Sequence, residues 1–364
     1  MFSCERQTKM EPQMEKALLS VIITNYNYAN YVGVAIESLK NQSVPIEIVV
    51  VDDFSTDDSR KIIADYAANT KTILKDRNLG HGDGFNQGFA ASTGDIILFL
   101  DADDFMLPGA AKVLIEAFDA SCALNVFRMH YADAEGRTYG LFPPLEAQLT
   151  CGPAADIVLR HGSIQTTVTS GMVYPRWALE KVLPLPAEAF RQGGDGYLAS
   201  VVPLHGDIKV HDVPVTAYRQ HRTQHSKFLR EYANRARWCI EHNASRYTAI
   251  QEHAGKLGMA PASNLASVDV DNLQQRFISL LFEPELHPIP TDNLGQLLQQ
   301  IVRLQKESPP TLSRTLRILW WRLMNAVNTE TRKTLISWQV DPLTRPAWLG
   351  SIGRLLRTKL KVTA

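Results

Sequence analysis

The sequence predicts an α/β protein in which a mostly parallel central sheet is flanked by helices and is followed by a helical C-terminal region. In the first hundred residues, short apolar runs rich in β-branched residues alternate with helical patterns, which is typical of strands buried on both faces. After residue 226 the pattern is helical, with proline-rich breaks between segments. The expected strands are 18–24, 46–51, 72–74 and 95–100, and the expected helices are 85–91, 228–250, 270–282, 294–306 and 312–327.

Acidic residues follow two of the expected strands at the point where each strand ends. Asp52 and Asp53 follow the second strand, and the segment 101–104 (Asp-Ala-Asp-Asp) follows the fourth. Right-handed crossovers place the carboxyl ends of parallel strands at one edge, and open α/β sheets bind ligands outside that edge. We therefore expect the two acidic clusters to converge in space. Between residues 122 and 214 the periodicity weakens, and only 166–169 and 208–211 resemble strands.

The composition is that of a globular chain with an uneven charge distribution. The 364 residues include 38 basic and 38 acidic side chains, and 45% are hydrophobic, which excludes wholesale disorder. No apolar run is long enough to span a bilayer. Ten of the basic residues but only two acidic ones lie in 311–364, so the rest of the chain is net acidic. Such asymmetry points to partners rather than to a fold.

The cysteines and the first residues indicate a reducing compartment. The four cysteines are far apart and show no metal-finger spacing, so we expect free thiols. Residues 1–17 lack the apolar segment of a secretory signal. We expect a cytoplasmic protein with a flexible leader over 1–17, a catalytic domain over 18–226, a helical region over 227–310 and a basic amphipathic tail over 311–364.

The pair Asp101 and Asp103 lies two residues apart on a turn after an apolar strand. Hard divalent cations such as Mg²⁺ or Mn²⁺ prefer oxygen ligands and leave coordination positions for substrate phosphates. A cation that bridges to a diphosphate also removes the repulsion between neighbouring carboxylates. The alternative for this pair alone is a solvated acidic turn that caps a helix.

Four motifs in this order resemble those of the family 2 glycosyltransferases, which are nucleotide-sugar-dependent enzymes with the Rossmann-like GT-A fold. The resemblance is strong over 18–118, weaker to 226 and absent beyond. The matching segments are 20–27 (SVIITNYN), 50–57 (VVDDFSTD), the pair 78–80 (NLG) and 86–88 (NQG), and 100–104 (LDADD).

The resemblance implies a role for each matching residue. The choice between Asp52 and Asp53 for the nucleotide stays open, and capping of the following helix is the structural alternative for this pair. An ordinary buried strand is the alternative for the acceptor residues, and a surface histidine cluster is the alternative for His221. The implied donor-binding residues are Thr24, Asn25, Asn27, Asp52, Asp53, Asn78, Gly80, Asn86, Asp101, Ala102 and Arg219, the metal ligands Asp103 and His221, and the acceptor-binding residues Ser170, Gly171 and Met172.

Asp195 is the catalytic base that the resemblance implies. An acceptor hydroxyl with a pKa far above 7 must lose its proton as it attacks the anomeric carbon. The chain departs from the family pattern because Gly194 stands where glutamate is usual. The implied reaction is a single displacement with inversion, in which Mg²⁺ or Mn²⁺ and a basic loop with Arg219 or Arg222 stabilise the leaving diphosphate.

The tail over 311–364 combines basic residues with leucines and four of the six tryptophans. Basic amphipathic helices with tryptophan suit an anionic membrane surface. The alternatives are that these helices pack on the catalytic domain or bind a partner protein. The pattern argues against nucleic acid as a ligand, because leucine and tryptophan, rather than polar side chains, separate the charges.

The sequence therefore predicts transfer of a sugar from a nucleotide diphosphate-sugar to the hydroxyl of a saccharide, lipid-linked or other acceptor, in surface polysaccharide or glycoconjugate assembly. A nucleotidyltransferase would carry a basic glycine-rich loop after the first strand, where this chain has Asn-Tyr-Asn-Tyr. A phosphotransferase with an aspartate nucleophile would need its D-x-D pair after the first strand. A catalytically impaired family member that only binds a nucleotide sugar or a membrane complex remains an alternative, because of Gly194.

Overall fold

The computed structural model describes residues 18–221, 232–307, 312–340 and 346. The predicted leader, Arg222 and the second half of the predicted tail lie outside the described residues. Those that are described divide into two compact units, the first within 1–155 and 165–220 and the second within 156–164 and 221–364.

The first unit is a mixed sheet of nine strands with helices on both faces. The sheet order is β3-β2-β1-β4-β8-β6-β9-β5, with β7 paired to β6. Neighbours among β3, β2, β1 and β4 are parallel, as are β6 and β9, while β8, β7 and β5 run antiparallel to their partners. The strands are β1 (Leu19–Asn25), β2 (Ile46–Asp52), β3 (Lys71–Leu74), β4 (Ile96–Asp101), β5 (Phe105–Met106), β6 (Leu124–Ala132), β7 (Thr138–Phe142), β8 (Met172–Pro175) and β9 (Ile208–Arg219).

Alternation along the central strands places one set of side chains on each face of the sheet. Leu98 and Leu100 of β4 pack in the same apolar cluster as Ile36 of the first helix, whereas Phe99 stacks on Phe85 of the third helix, with ring centroids 4.0 Å apart. The helices of the first unit are α1 (Ala29–Lys40), α2 (Ser59–Asp65), α3 (His81–Ala91), α4 (Ala110–Ala117), α6 (Arg176–Leu179) and α7 (Gly194–Val201). Helix α5 (Ala155–His161) belongs to the second unit except for its first residue.

The second unit is helical and has a core of its own. Phe277 packs against Trp321 with the two ring planes almost perpendicular, and Trp321 and Met324 are buried. The start of the predicted tail therefore contributes to the same core as the preceding helices. These helices are α8 (Tyr232–Lys256), α9 (Val270–Phe282), α10 (Leu294–Glu307), α11 (Leu312–Ala326) and α12 (Thr329–Val340).

The structure confirms the predicted fold class, but several of its elements were not predicted, among them the strands β5 to β7 and the helices α4 to α6. Residues 166–169 are not a strand, because Thr169–Gly171 forms a single 3-10 turn before β8. Helix α3 begins at His81 rather than Phe85, and α12 was not predicted. The three cysteines among the described residues are free thiols, as expected. None of the described helices is both long enough and apolar enough to cross a membrane.

Candidate active site

The carboxyl ends of β2, β1 and β4 bring the two acidic clusters together. Asn25 lies opposite Asp52 on the neighbouring strand β2, and Thr24 lies opposite Asp101 on β4. The predicted convergence of the clusters is therefore present in the sheet register. Since the strands are parallel, their side chains meet at the edge where open α/β sheets bind ligands.

Asp52 is fully enclosed and its carboxylate is occupied by neighbours. Its Oδ2 accepts hydrogen bonds from Asn25 Nδ2 at 2.8 Å and from the Ser55 hydroxyl at 2.5 Å, and its Oδ1 accepts from the Ser55 N–H at 3.0 Å. The Arg60 Nε lies 3.6 Å from Oδ1. Asp52 thus fixes the two loops that follow β1 and β2, and it has no exposed surface to offer a ligand.

Asp53 holds the turn that leads into α3. Its Oδ1 accepts from Lys75 Nζ at 3.0 Å and from the Leu79 N–H at 2.8 Å, while Oδ2 accepts from the Gly80 N–H at 2.7 Å. Gly80 has a φ of 92°, and a Cβ at this position would lie 2.4 Å from the Arg191 carbonyl oxygen. Only glycine fits this turn, because both the backbone angle and the close approach exclude a side chain.

Three of the four predicted donor-binding asparagines bind other loops of the protein. Asn27, with a φ of 58°, accepts at Oδ1 from the Thr56 N–H at 2.8 Å. The Asn86 amide pairs with both the N–H and the carbonyl of Leu185, each at 2.9 Å. Asn78 accepts from the exposed Arg191 through its carbonyl and through Oδ1. These contacts position the loops around the site, and they occupy the polar groups that the sequence assigned to the donor.

Asp195 enters the site from the first turn of α7. No hydrogen bond or ion pair of its carboxylate occurs within the part of the chain that is described, yet its charge acts on both His81 and Asp101. At the preceding Gly194, a Cβ would lie 3.2 Å from the Phe85 ring and 3.3 Å from Gly82 Cα. The close packing of α7 on α3 therefore accounts for glycine at a position where the family usually has glutamate.

His81 is a site residue that the sequence reasoning missed. Its Nε2 lies 3.3 Å from Asp101 Oδ1, and its ring meets that of Phe85 edge-on at a centroid distance of 4.3 Å. Burial lowers the pKa of His81, but Asp101, with the charges of Asp195 and Asp53, outweighs burial and raises that pKa above its ordinary value. The signal in the sequence was a histidine directly after the Asn-Leu-Gly turn, where only the glycines had been given a role.

The carboxylates of the 101–104 turn are crowded and partly unsatisfied. Burial and the charges of Asp103 and Asp195 raise the pKa of Asp101, against the effect of His81. Burial and the charges of Asp103 and Asp101 raise the pKa of Asp104 well above its ordinary value. Repulsion of this kind indicates a site that gains stability when a positive charge binds.

Arg219 holds the 101–104 turn. Its backbone N–H donates to Asp104 Oδ1 at 2.9 Å, and its Nε donates to the Asp103 carbonyl at 2.7 Å. The guanidinium lies over the rings of Tyr31 and Phe105 and is almost completely buried. These contacts position the 101–104 turn, and the assignment of Arg219 to the donor stays a prediction.

The four remaining predicted contacts are buried beneath the site. Ala102, Ser170 and Met172 have at most 1% of their surface exposed, and a Cβ on Gly171 would lie 2.5 Å from the Thr167 side chain. The Ser170 hydroxyl accepts from the Asp101 N–H at 3.2 Å. Residues 170–172 thus pack against the end of β4, and their role in acceptor binding stays a prediction.

Among the described residues, the buried polar atoms at this edge without a hydrogen-bond partner include Thr24 Oγ1, Asn25 Oδ1 and Asp104 Oδ2. An unsatisfied buried polar atom costs about 1–3 kcal/mol, so three of them along one edge are evidence of a polar ligand. Two of these atoms belong to Thr24 and Asn25, which the sequence predicted to bind the donor.

The described residues contain no group of three or more histidine, cysteine, aspartate or glutamate side chains arranged to hold a metal ion. Mg²⁺ is commonly held by one or two carboxylates together with substrate phosphates, so a preformed cage is not required. The crowded carboxylates and the unpartnered Asp104 oxygen fit such a cation. His221 is buried and begins the second unit, and its role as a ligand stays a prediction.

Part of the chain matches a known protein family. Residues 20–183 match the family model for glycosyl transferase family 2. The chain is similar to that family over these residues, which are less than half of its length.

Three known proteins are similar to parts of this chain. An uncharacterized glycosyltransferase of Nostoc is 37% identical over 213 residues, which are 56% of this chain and 65% of the relative. The succinoglycan biosynthesis protein ExoO of Rhizobium meliloti is 34% identical over 131 residues, or 35% of this chain and 38% of the relative. The chain thus spans less than two thirds of these curated relatives. The crystal structure of S. aureus TarS 1-349 in complex with UDP aligns with a TM-score of 0.46 and 20% identity, covering 87% of this chain and 89% of that one.

Proposed function

We propose that this chain transfers a sugar from a nucleotide diphosphate-sugar to an acceptor hydroxyl, with Mg²⁺ or Mn²⁺ and with inversion at the anomeric carbon. The observation that carries the proposal is the packing of the first turn of α7, which carries Asp195, against α3, whose His81 lies 3.3 Å from Asp101 at the sheet edge. A base and a phosphate-facing acidic turn are the two parts that this chemistry needs side by side.

Asp53 is the carboxylate that we assign to the nucleotide. Both oxygens of Asp52 are bound within the protein and its side chain has no exposed surface, whereas the Asp53 side chain retains 10% and its Oδ2 has one partner. Thr24 Oγ1 and Asn25 Oδ1 lie on the neighbouring strand end and need partners. A nucleoside supplies imide and hydroxyl groups that satisfy all three residues.

Asp103 is the residue that we assign to the metal, with Asp101 beside it for the ribose or a metal-bound water. A bound Mg²⁺ or Mn²⁺ would supply positive charge to the leaving diphosphate. Arg219 keeps the Asp103 turn in place through its carbonyl. Accordingly, Arg219 acts on the donor through the position of this turn.

Asp195 is the proposed base. Because its carboxylate carries no hydrogen bond within the described part of the chain, it is available to accept the proton of an acceptor hydroxyl. The alternative of a catalytically impaired protein was motivated by Gly194, which the packing on Phe85 and Gly82 explains.

The test compares Asp195→Asn with Glu188→Gln, an exposed acid in the segment before α7. Sugar transfer and donor hydrolysis are measured over a panel of nucleotide sugars, with and without Mn²⁺. We expect Asp195→Asn to lower transfer by about 10²–10⁴-fold with donor binding intact, and Glu188→Gln to have no effect. Transfer by Asp195→Asn at the wild-type rate would contradict the base assignment, and a wild-type protein that neither binds nor hydrolyses any donor would refute the function.

Assembly of a polysaccharide or glycoconjugate is the proposed context. Among the relatives, ExoO is named for succinoglycan biosynthesis, and an Escherichia coli chondroitin synthase is 32% identical over 124 residues, or 33% of this chain and 18% of the relative. Both names refer to polymers of sugars, which supports a saccharide acceptor for this chain.

Docking on an anionic membrane through 311–364 belongs to the same proposal. Helix α11 buries Trp321 and Met324 but exposes Leu316, Leu319 and Leu323, which recur at helical spacing on one face. Deleting the tail would remove part of the core, so the test is Leu319→Ser with Leu323→Ser. Less sedimentation with vesicles containing phosphatidylglycerol supports the membrane role, and unchanged sedimentation rejects it.

A further inference from the structure

A row of three tyrosines crosses the sheet beside the site. Tyr131 of β6 lies directly opposite Tyr139 of β7 and Tyr218 of β9, so the three side chains share one face. The ring centroids are 5.6 Å apart for Tyr131 and Tyr139 and 6.2 Å apart for Tyr131 and Tyr218. Phe142 flanks the row, at 5.2 Å from Tyr131 and 5.1 Å from Tyr218. We call Tyr139, Tyr131 and Tyr218 the tyrosine row.

Arg128 fixes the hairpin of β6 and β7, which carries Tyr131 and Tyr139. Arg128 is buried, and its Nη1 donates to the carbonyls of Pro143 and Pro144 at 2.9 and 2.8 Å. Its Nε and Nη2 bind Asp212 of β9. A buried arginine used in this way holds the end of β7 against the sheet, so the rings are positioned before any ligand arrives.

The row is more exposed than a hydrophobic core. Tyr139 keeps 52% of its surface exposed, and Tyr131 and Tyr218 are only partly buried. Each ring offers an apolar face and a hydroxyl at its tip. This combination matches a sugar ring, which presents C–H groups on its faces and hydroxyls at its rim.

The inner end of the row adjoins the acidic turn. Tyr218 directly precedes Arg219, whose backbone N–H binds Asp104 and whose Nε binds the Asp103 carbonyl. Ala132, which follows Tyr131 on β6, pairs with Arg219, which follows Tyr218 on β9. From β9 the row runs outward over two strand spacings, about 10 Å, to the exposed strand β7. A ligand on the row therefore extends from the acidic turn towards solvent.

We propose that the tyrosine row binds an acceptor saccharide, with the accepting sugar near the 101–104 turn and the preceding sugars stacked over Tyr131 and Tyr139. The inference rests on the proposed function and adds the acceptor class, an oligosaccharide rather than a lone lipid alcohol. Stacking on the outer ring contributes to acceptor binding, while the donor does not contact it.

The experiment uses saturation-transfer NMR to measure the binding of tetrasaccharides to the full chain. Each tetrasaccharide consists of one β-linked sugar, which is glucose, galactose, N-acetylglucosamine or mannose. Tyr139→Ala is compared with Tyr139→Phe, which keeps the ring, and with Leu145→Ala, which removes another exposed apolar side chain of the same unit. We expect at least one tetrasaccharide to bind the wild type, with affinity about 3- to 10-fold lower in Tyr139→Ala and unchanged in the two controls.

Thermal shifts with UDP or GDP and Mn²⁺ are recorded on the same variants. If Tyr139→Ala binds the tetrasaccharides as the wild type does, the proposed role of the tyrosine row is wrong. Equal melting-temperature shifts with nucleotide in all variants would then leave the proposed function standing. Absence of binding by every tetrasaccharide to the wild type would overturn the role of the tyrosine row as well. If the melting temperature of the wild type does not change with either nucleotide and Mn²⁺, the proposed function is refuted instead.

Discussion

The pKa of a carboxyl group is lowered at the amino ends of the parallel strands, in Glu47, and raised beyond their carboxyl ends, in Asp104. At the amino ends, Glu47 of β2 accepts hydrogen bonds from the Ser20 hydroxyl, from the N–H and hydroxyl of Thr93, and from Lys71. Burial opposes ionisation, but these partners outweigh it and lower the pKa of Glu47 to about 2. At the carboxyl ends, burial and neighbouring charges raise the pKa of Asp104.

The difference separates a structural role from a ligand-binding one. Glu47 ties together β1, β2, β3 and the turn before β4, and its oxygens are satisfied by the fold. The carboxyl-end edge retains unpartnered atoms and like charges that the fold does not neutralise. Glu47 thus stabilises the protein at one edge, whereas Asp101 and Asp104 of the 101–104 turn gain from a bound positive charge at the other.

The largest expected effect is at Asp103. Asp103→Asn removes the carboxylate assigned to the cation, so turnover should fall by about 10²-fold or more and should no longer respond to Mn²⁺. Initial rates over a Mn²⁺ titration give the measurement, with the exposed Asp58→Asn as control. An unchanged Mn²⁺ dependence in Asp103→Asn would remove this residue from the metal site.

Glu47→Gln tests the other edge. The loss of charged hydrogen bonds should lower the free energy of unfolding by about 1.5–3 kcal/mol without changing donor affinity. Asp104→Asn should instead leave stability of the ligand-free protein unchanged or raise it, because it removes one of the repelling charges. Urea unfolding of both variants measures the contrast, and equal destabilisation would erase the distinction between the edges.

The contribution of Glu47 should also disappear in acid. Its pKa is about 2 in the folded chain and about 4.5 when unperturbed. The stabilisation is complete above pH 4.5 and decreases as the pH falls towards 2, since the unfolded chain takes up the proton first. Unfolding free energies of the wild type and Glu47→Gln at pH 7, 4 and 3 should converge. A constant difference over this range would show that Glu47 does not act through its charge.

The smallest expected effect on function is at Thr24. Thr24→Val keeps the shape but removes the buried hydroxyl without a partner, so the free energy of unfolding should not fall and should rise by up to about 1–3 kcal/mol. The affinity for the nucleotide should fall about 2- to 10-fold, which corresponds to one lost hydrogen bond. Isothermal titration with UDP or GDP compares the two proteins. A large loss of stability would mean that Thr24 has a structural partner instead of a ligand.

The sequence predicted the frame of the site because its signals are local. The apolar runs of β1, β2 and β4 were predicted to within one residue of their observed ends, and the parallel arrangement follows from the intervening helices. The convergence of Asp52 and Asp101 depends only on that arrangement.

The functions of individual side chains depended on contacts distant in sequence. The difference between Asp52 and Asp53 arises from partners 22 to 27 residues away, in Asn25, Lys75 and Gly80. Asn86 binds Leu185, 99 residues later. A motif specifies which residue types occur, but the packing decides whether each side chain meets a ligand or another loop.

The first turn of α3 has a consequence for how the diphosphate is neutralised. In many nucleotide-binding folds, free N–H groups at a helix start hold phosphate. Here the N–H groups of His81 and Gly82 already donate to the carbonyls of Arg191 and Phe190, at 2.7 and 3.2 Å. Under the proposed function, the negative charge of the donor is therefore matched mainly by an exchangeable ion. The affinity for the donor then rises and falls with the free divalent cation concentration of the surroundings, which a fixed backbone site would not allow.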